Sequence, residues 1–275
     1  MSKTLSTQQV KQYGRDGTLF PLPVLSPDEV AAFRTGFETM EAKLGGNPTS
    51  MQMAQSHLYY RWAYDLATHP AILDRVEDII GPNILVHSST IFRKRPYDPS
   101  FVSWHQDGYY WDLDEPLLTS AWIALSNSTV DNGCMQVIPT SHKQCLPHDT
   151  HHDKHNMLTT GLEIAVDVSE SEAWDVILQA GEMSLHHVNI IHGSKPSRSA
   201  TPRIGFAIRF VAPQVQQGLD HYAAVLARGR DDYHHFRLLQ ELPSDDLEES
   251  IAAQTTFIHW LRTKRAAQMQ SGKQG

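Results

Sequence analysis

The apolar residues of this chain change their spacing once, at Gly81-Pro82, and that change limits the folds open to it. Before it the pattern is helical. Ile72, Leu73, Val76, Ile79 and Ile80 follow His69-Pro70 at a spacing near 3.6 residues, the period of one helix face. Ser26-Pro27-Asp28-Glu29 combines a Ser N-cap, a first-turn Pro and a Glu three residues on, a capping-box start. It predicts a helix to about Lys43, stopped at Gly45-Gly46, and a weaker one is expected from Thr7 to Asp16, ended by Gly17. After Pro82 short strand-like runs take over: Ile84–Val86, Thr90–Phe92, Ala121–Leu125, Met135–Ile138, Glu163–Val166, Val176–Leu178, Met183–Leu185 and Arg203–Val211. Asp131-Asn132-Gly133, Ala180-Gly181 and His192-Gly193-Ser194 supply turn signals between them. Many short strands at this rhythm predict an antiparallel barrel or jelly roll. Pro139 to Gly161 is a long polar stretch without period, expected to be a lid or binding loop. From Asp245 to about Gln270 the pattern is helical again.

One domain is expected over residues 1–275, with a helical N-terminal region (1–82), a β core (83–212) and a C-terminal helical segment (213–275). A chain of 275 residues buries enough surface to need no disulfides. Its two cysteines, Cys134 and Cys145, lack metal-site spacing, so a reducing, cytoplasmic compartment is expected. No run nears the ~18 apolar residues of a membrane helix. The formal net charge of −8 disfavours nucleic acid and anionic membrane as partners. A small-molecule substrate is left as the expected partner; oligomeric state is open.

Two segments carry chemistry. In Ser103-Trp104-His105-Gln106-Asp107-Gly108, residues two apart on a strand would turn an imidazole and a carboxylate to one point. Two histidines and one carboxylate on one face of an octahedron bind non-haem Fe(II) and leave positions open. His-x-Asp alone also arises as a polar pair at a strand end. The second segment runs from Leu185 to Ser194. His192 is expected at a strand end before a glycine turn, facing a cavity. On the strand that follows, Arg203, Gly205, Ala207 and Arg209 share one face, and Ile204, Phe206, Ile208 and Phe210 the other. Two arginines separated by tiny residues leave room for an anion, and a guanidinium fork matches a carboxylate; the bland alternative is a surface face with two salt bridges. Sixteen histidines raise the prior for metal chemistry without placing it. For the His148, His151, His152 and His155 loop a solvated lid is favoured over a second metal site, and for His186 and His187 satisfied core positions are favoured. Tyr109 and Trp111 are the aromatic candidates for substrate contact, with Arg209 beside them; Tyr59, Tyr60, Trp62 and Tyr64 are expected mostly to pack.

With these motifs in order, the sequence resembles the phytanoyl-CoA dioxygenase-like branch of the 2-oxoglutarate oxygenases, from about Leu5 to Val211. The likeness rests on YGRDGTLFPLPVLSPD (13–28), SWHQDGYYW, NGCMQVIPTSH (132–142) and GEMSLHHVNIIHGSKPSRSATPRIGFAIRF. It implies a mainly β fold, a double-stranded β-helix of the cupin-like jelly-roll kind with helices outside. It implies Fe(II) held by His105, Asp107 and His192, which would be the catalytic centre. It implies 2-oxoglutarate held by Arg203, eleven residues after the distal His, with Ser194 and Trp122 nearby. It implies O2 as co-substrate, succinate and CO2 as products, and hydroxylation of a small organic molecule. Two other functions remain at this point. A radical halogenase of the same family needs Ala or Gly where this chain has Asp107. A non-catalytic binding protein on the same barrel would have little use for His105, Asp107, His192 and Arg203 together.

Overall fold

The computed structural model describes residues 4–110, 117–158, 162–165, 168–216 and 223–271. Three of the expected helices form where their caps stand. α1 (Thr7–Asp16) is opened by a capping box at Ser6 and closed by Gly17 in the left-handed region, φ 78°. α2 (Pro27–Lys43) starts at Ser26, whose backbone N–H donates to Glu29 Oε2 at 2.7 Å. Short α3 (Ser50–Met53) and α4 (Arg61–Ala67) lie between α2 and α5 (Pro70–Ile80).

The first eighty residues are not wholly helical, because β1 (Thr18–Pro23) follows directly on Gly17. Its sequence, TLFPLP, hides the strand behind two prolines. Proline is tolerated there because β1 is an edge strand, with one side of its backbone unpaired. The remaining strands are β2 (Ile84–Lys94), β3 (Val102–His105), β4 (Leu118–Ala124), β5 (Met135–Ile138), β6 (His148–Thr150), β7 (Leu162–Ile164), β8 (Trp174–Val176), β9 (Glu182–His187), β10 (Ile191–Ser194), β11 (Arg203–Val211) and β12 (Val225–Arg228). The two runs expected at 84–86 and 90–92 are one continuous strand, β2. Six strands make one sheet in the order β1-β9-β4-β11-β2-β12, and four make a second in the order β3-β10-β5-β8. All the pairings are antiparallel, and the two sheets form a jelly roll, the double-stranded β-helix. α6 (Leu247–Ser271) closes the described chain.

The period-2 pattern of β11 decides where the core sits. Ile204, Phe206, Ile208 and Phe210 turn outward from the roll and pack with Phe37, Met40, Leu66, Ile72 and Val76 of the helices. Each such side chain, fully buried, contributes about 1.5–3 kcal/mol. The opposite face of β11 looks into the roll. There Arg203 lies across from Lys94 and Arg209 across from Ser88. On the other side Ala207 pairs with Trp122 and Arg209 with Ser120. A hydrophobic scaffold thus holds a polar interior.

Candidate active site inside the jelly roll

β3 and β10 pair so that His105 and His192 are direct cross-strand partners. Their rings lie 4.0 Å apart, and both residues are buried. Each imidazole is fixed in the same way. Nδ1 of His105 is 2.9 Å from the carbonyl of Ser103, and Nδ1 of His192 is 3.0 Å from that of Ile190. A carbonyl only accepts, so each Nδ1 carries the proton and each Nε2 keeps its lone pair for a metal.

Asp107 arrives differently from the strand parity expected of it. β3 ends at His105, and Asp107 opens a 3-10 turn, Asp107–Tyr110. Gln106 anchors the bend. Its amide donates to the carbonyls of Gln144 and Asn189, at 2.7 and 2.5 Å, and its Oε1 accepts from Leu146 N at 2.8 Å. Its backbone N–H donates to His148 Nε2 at 3.0 Å. Gly108 follows, where a Cβ would lie 2.0 Å from Asn189 Oδ1 and displace that side chain. The carboxylate ends beside the histidines, with Oδ1 3.5 Å from His105 Nε2. Ligand atoms of His105, Asp107 and His192 lie within 4.8 Å of one another, the only such metal-ligating group among the described residues.

The local charges suit a cation. Burial alone would raise the Asp107 carboxyl, but Arg209, the His105 contact and His192 outweigh it and hold it well below its ordinary value. Arg209 Nε donates to Asp107 Oδ2 at 3.2 Å, and its Nη1 to Thr90 Oγ1 at 3.1 Å. Burial, then the neighbouring His105, keeps His192 well below its ordinary value and therefore neutral. Two imidazoles and one carboxylate anion make the donor set of a facial metal triad.

The same pocket reaches from His105, His192 and Arg209 to Trp122, Ser194 and Arg203. Arg203 is buried, and its guanidinium stands 5.4 Å over the Trp122 ring. Its Nη1 donates to the Gly133 carbonyl, and its Nε has no hydrogen-bond partner among the described residues. Burial lowers its pKa to about 10. The room beside Gly205 is not left for an anion. Trp122 fills it, since a Cβ on Gly205 would meet Trp122 Cζ2 at 1.8 Å. Gly193 likewise is not a turn residue. It lies within β10, where a Cβ would come 2.9 Å from the Val102 carbonyl.

Other candidates separate on their surroundings. His186 lines the pocket, its ring 5.1 Å from that of His192 and its Nδ1 unpaired among the described residues, so it is no satisfied core histidine. Burial drives its pKa down to about 4. His187 faces away, accepting from Asn189 N at Nδ1. Within the polar loop His148 turns inward and stacks on Tyr109 at 4.2 Å, while His151 and His152 are exposed. Tyr109 is itself 43% exposed. Trp111 lies outside the described residues. Tyr60 and Trp62 pack among the core residues, and Cys134 is buried. Sequence reasoning missed Gln106, whose only signal was its place between two candidate ligands, and Lys94, whose inward parity with Thr90 and Phe92 was readable from β2.

Comparison with known proteins bears on this geometry. The family model described as phytanoyl-CoA dioxygenase matches residues 13–205. A probable alpha-ketoglutarate-dependent hypophosphite dioxygenase of Stutzerimonas stutzeri is 30% identical over 213 residues, 73% of this chain and 72% of that protein. Among solved structures, the apo form of ThoJ, a non-heme monooxygenase, superposes with a TM-score of 0.77 at 30% identity, covering 97% of this chain and 99% of that one. CytC3 with Fe(II) and alpha-ketoglutarate superposes with a TM-score of 0.65 at 26% identity, covering 88% and 95%.

Proposed function

The chain belongs to the phytanoyl-CoA dioxygenase family, and from that premise we propose which residues of the pocket do the family's work and what the outcome is. The protein is an Fe(II)- and 2-oxoglutarate-dependent dioxygenase acting on a small molecule. In our reading His105, Asp107 and His192 hold the iron. Arg203, Ser194 and Trp122 hold 2-oxoglutarate, and the substrate is hydroxylated between this centre and the rim at Tyr109. The observation that carries it is one pocket of buried residues with a two-histidine, one-carboxylate cluster at one end and, at the other, an arginine without a carboxylate partner among the described residues.

Bound Fe(II) supplies the activation of O2. The chain's own residues do the rest. The two carbonyl-anchored imidazoles present Nε2, and Arg209 keeps Asp107 anionic while occupying one of its oxygens. Arg203, braced on Trp122, offers a planar fork to the far carboxylate of 2-oxoglutarate, which sets the length between the two ends. The sheets around them exclude water, so these charges act in a medium of low dielectric. Asp107 fills the position that a halogenase of this family leaves open, which favours hydroxylation. Two unpaired cysteines support a cytoplasmic setting, and no helix among the described residues is long and apolar enough to cross a membrane. Substrate choice falls to the rim, where Tyr109 stacks on His148.

The test is succinate release in the presence of Fe(II), 2-oxoglutarate and a panel of amino acids, amines, acids and thioesters. Wild type is expected to couple succinate to a hydroxylated product with at least one class. His105→Ala and His192→Ala are each expected to abolish turnover and metal binding while the far-ultraviolet circular dichroism is kept. Near-normal activity in either variant would remove the assignment.

A further inference from the structure

Lys94, at the end of β2, lies directly across from Arg203 on the inner face of the large sheet. It is fully buried. Its Nζ is 2.7 Å from Ser194 Oγ and 3.3 Å from the Gly133 carbonyl, and it also reaches the carbonyl of Lys195. Arg203 Nη1 donates to that same Gly133 carbonyl, so two cationic side chains share one neutral acceptor. The charges nearby are engaged elsewhere. The Lys195 ammonium pairs with Glu170, and the Asp98 carboxylate accepts from the backbone N–H groups of Arg95 and Ser100. Asp98 and Cys134 are the other titratable groups whose fields reach Lys94.

Two buried like charges sharing a carbonyl are costly, and of the two a lysine releases its proton far more readily than an arginine. Burial first, and Arg203 second, bring Lys94 down to about 6. Near neutral pH its amine is then uncharged, donating to the two carbonyls and accepting the Ser194 hydroxyl proton. A carboxylate arriving at Arg203 changes that balance, because it attracts both the Ser194 O–H and a positive charge behind it.

We propose that Lys94 is the proton-accepting partner of the co-substrate site: when the far carboxylate of 2-oxoglutarate settles against Arg203 and Ser194, Lys94 takes one proton from solvent. The exchange balances. Ser194 turns its O–H from Lys94 to the carboxylate, and the new ammonium donates to Ser194 Oγ in its place. Lys94 is thus a positioning residue that acts through Ser194. This rests on the reading that the Arg203 end holds 2-oxoglutarate. The sign follows from linkage. Below a pH of about 6 Lys94 is already charged and binding needs no proton. Above it, one proton enters with each co-substrate, and the dissociation constant rises about tenfold per pH unit until the bound-state value is passed.

The experiment is titration calorimetry on the full chain saturated with Mn(II), so that the metal ligands have already shed their protons. At about pH 8, buffers of low and high ionisation enthalpy read the protons taken up. Close to one proton is expected with 2-oxoglutarate, and close to none with 2-oxobutyrate, which keeps the 2-oxoacid head and lacks the far carboxylate. Lys94→Met should show no uptake with 2-oxoglutarate and a flat dependence of affinity on pH. If wild type takes up no proton, or the same number with both acids, the proposal is overturned without recourse to any variant. Arg203→Ala separates the two readings. If it weakens 2-oxoglutarate but not 2-oxobutyrate while wild type shows no uptake, the co-substrate site stands and Lys94 has no such role. If it leaves 2-oxoglutarate affinity intact, the site itself has been misplaced and the Lys94 proposal falls with it.

Discussion

Arg203 and Arg209 stand on the same face of the same strand, six residues apart, and their surroundings are opposite. Arg209 has its anion inside the chain, donating to Asp107 and to Thr90. Arg203 has a carbonyl, an aromatic face and the Lys94 side chain opposite, and makes no ion pair among the described residues. A buried charge with an internal partner belongs to the scaffold, and removing it strands the partner. A buried charge without one raises the energy of the fold and is retained for a ligand that brings the opposite charge. On our proposal, the same residue type on the same face then does two jobs, decided by what lies across the pocket.

The largest effect that would sharpen this contrast belongs to Arg209→Ala. It leaves Asp107 buried without its counter-charge, which typically costs about 3–5 kcal/mol. Urea unfolding of the metal-free protein should show a loss of that order, while the Michaelis constant for 2-oxoglutarate in any residual activity stays nearly unchanged. Arg203→Ala should show the reverse. Truncating a buried arginine–carboxylate contact costs about 2–5 kcal/mol of binding, so the apparent Michaelis constant for 2-oxoglutarate should rise at least about tenfold. Its urea midpoint should fall far less than that of Arg209→Ala, because no internal anion is stranded. If both variants move both quantities together, the two arginines are not functionally distinct and the contrast breaks.

The smallest effect is expected at Gly205→Ala. The added methyl would run into the Trp122 ring, and overpacking of this kind costs about 1–3 kcal/mol. Because Trp122 carries the Arg203 guanidinium, co-substrate affinity should weaken by a few fold, less than in Arg203→Ala. An unchanged urea midpoint and unchanged affinity together would show that the ring moves aside freely and does not brace the arginine.

Much of this was legible in the linear sequence. Ser26, Gly17 and Gly81 mark helix ends because capping is a matter of a few neighbouring residues. Alternation along 203–211 separated the core face from the pocket face, because a strand's period is two whatever it packs against. The motifs named His105, Asp107 and His192 before any geometry was known. Alternation failed where the chain leaves the strand. Asp107 reaches the histidines through a 3-10 turn clamped by Gln106, and β1 was hidden by prolines that only its edge position tolerates.

What the sequence determined by itself, then, is most of the inventory and its faces: which of the longer segments are helix or strand, and that two arginines share a side. What only the tertiary structure decided is the partnership of each group. Asp107 meets Arg209 across 102 residues of chain, Lys94 meets Ser194 across 100, and Trp122 fills the space beside Gly205. Periodicity is a local property and fixes the direction of a side chain. Charge compensation and packing are settled between strands far apart in sequence, in a pocket whose low dielectric makes the presence or lack of a counter-charge the dominant energy.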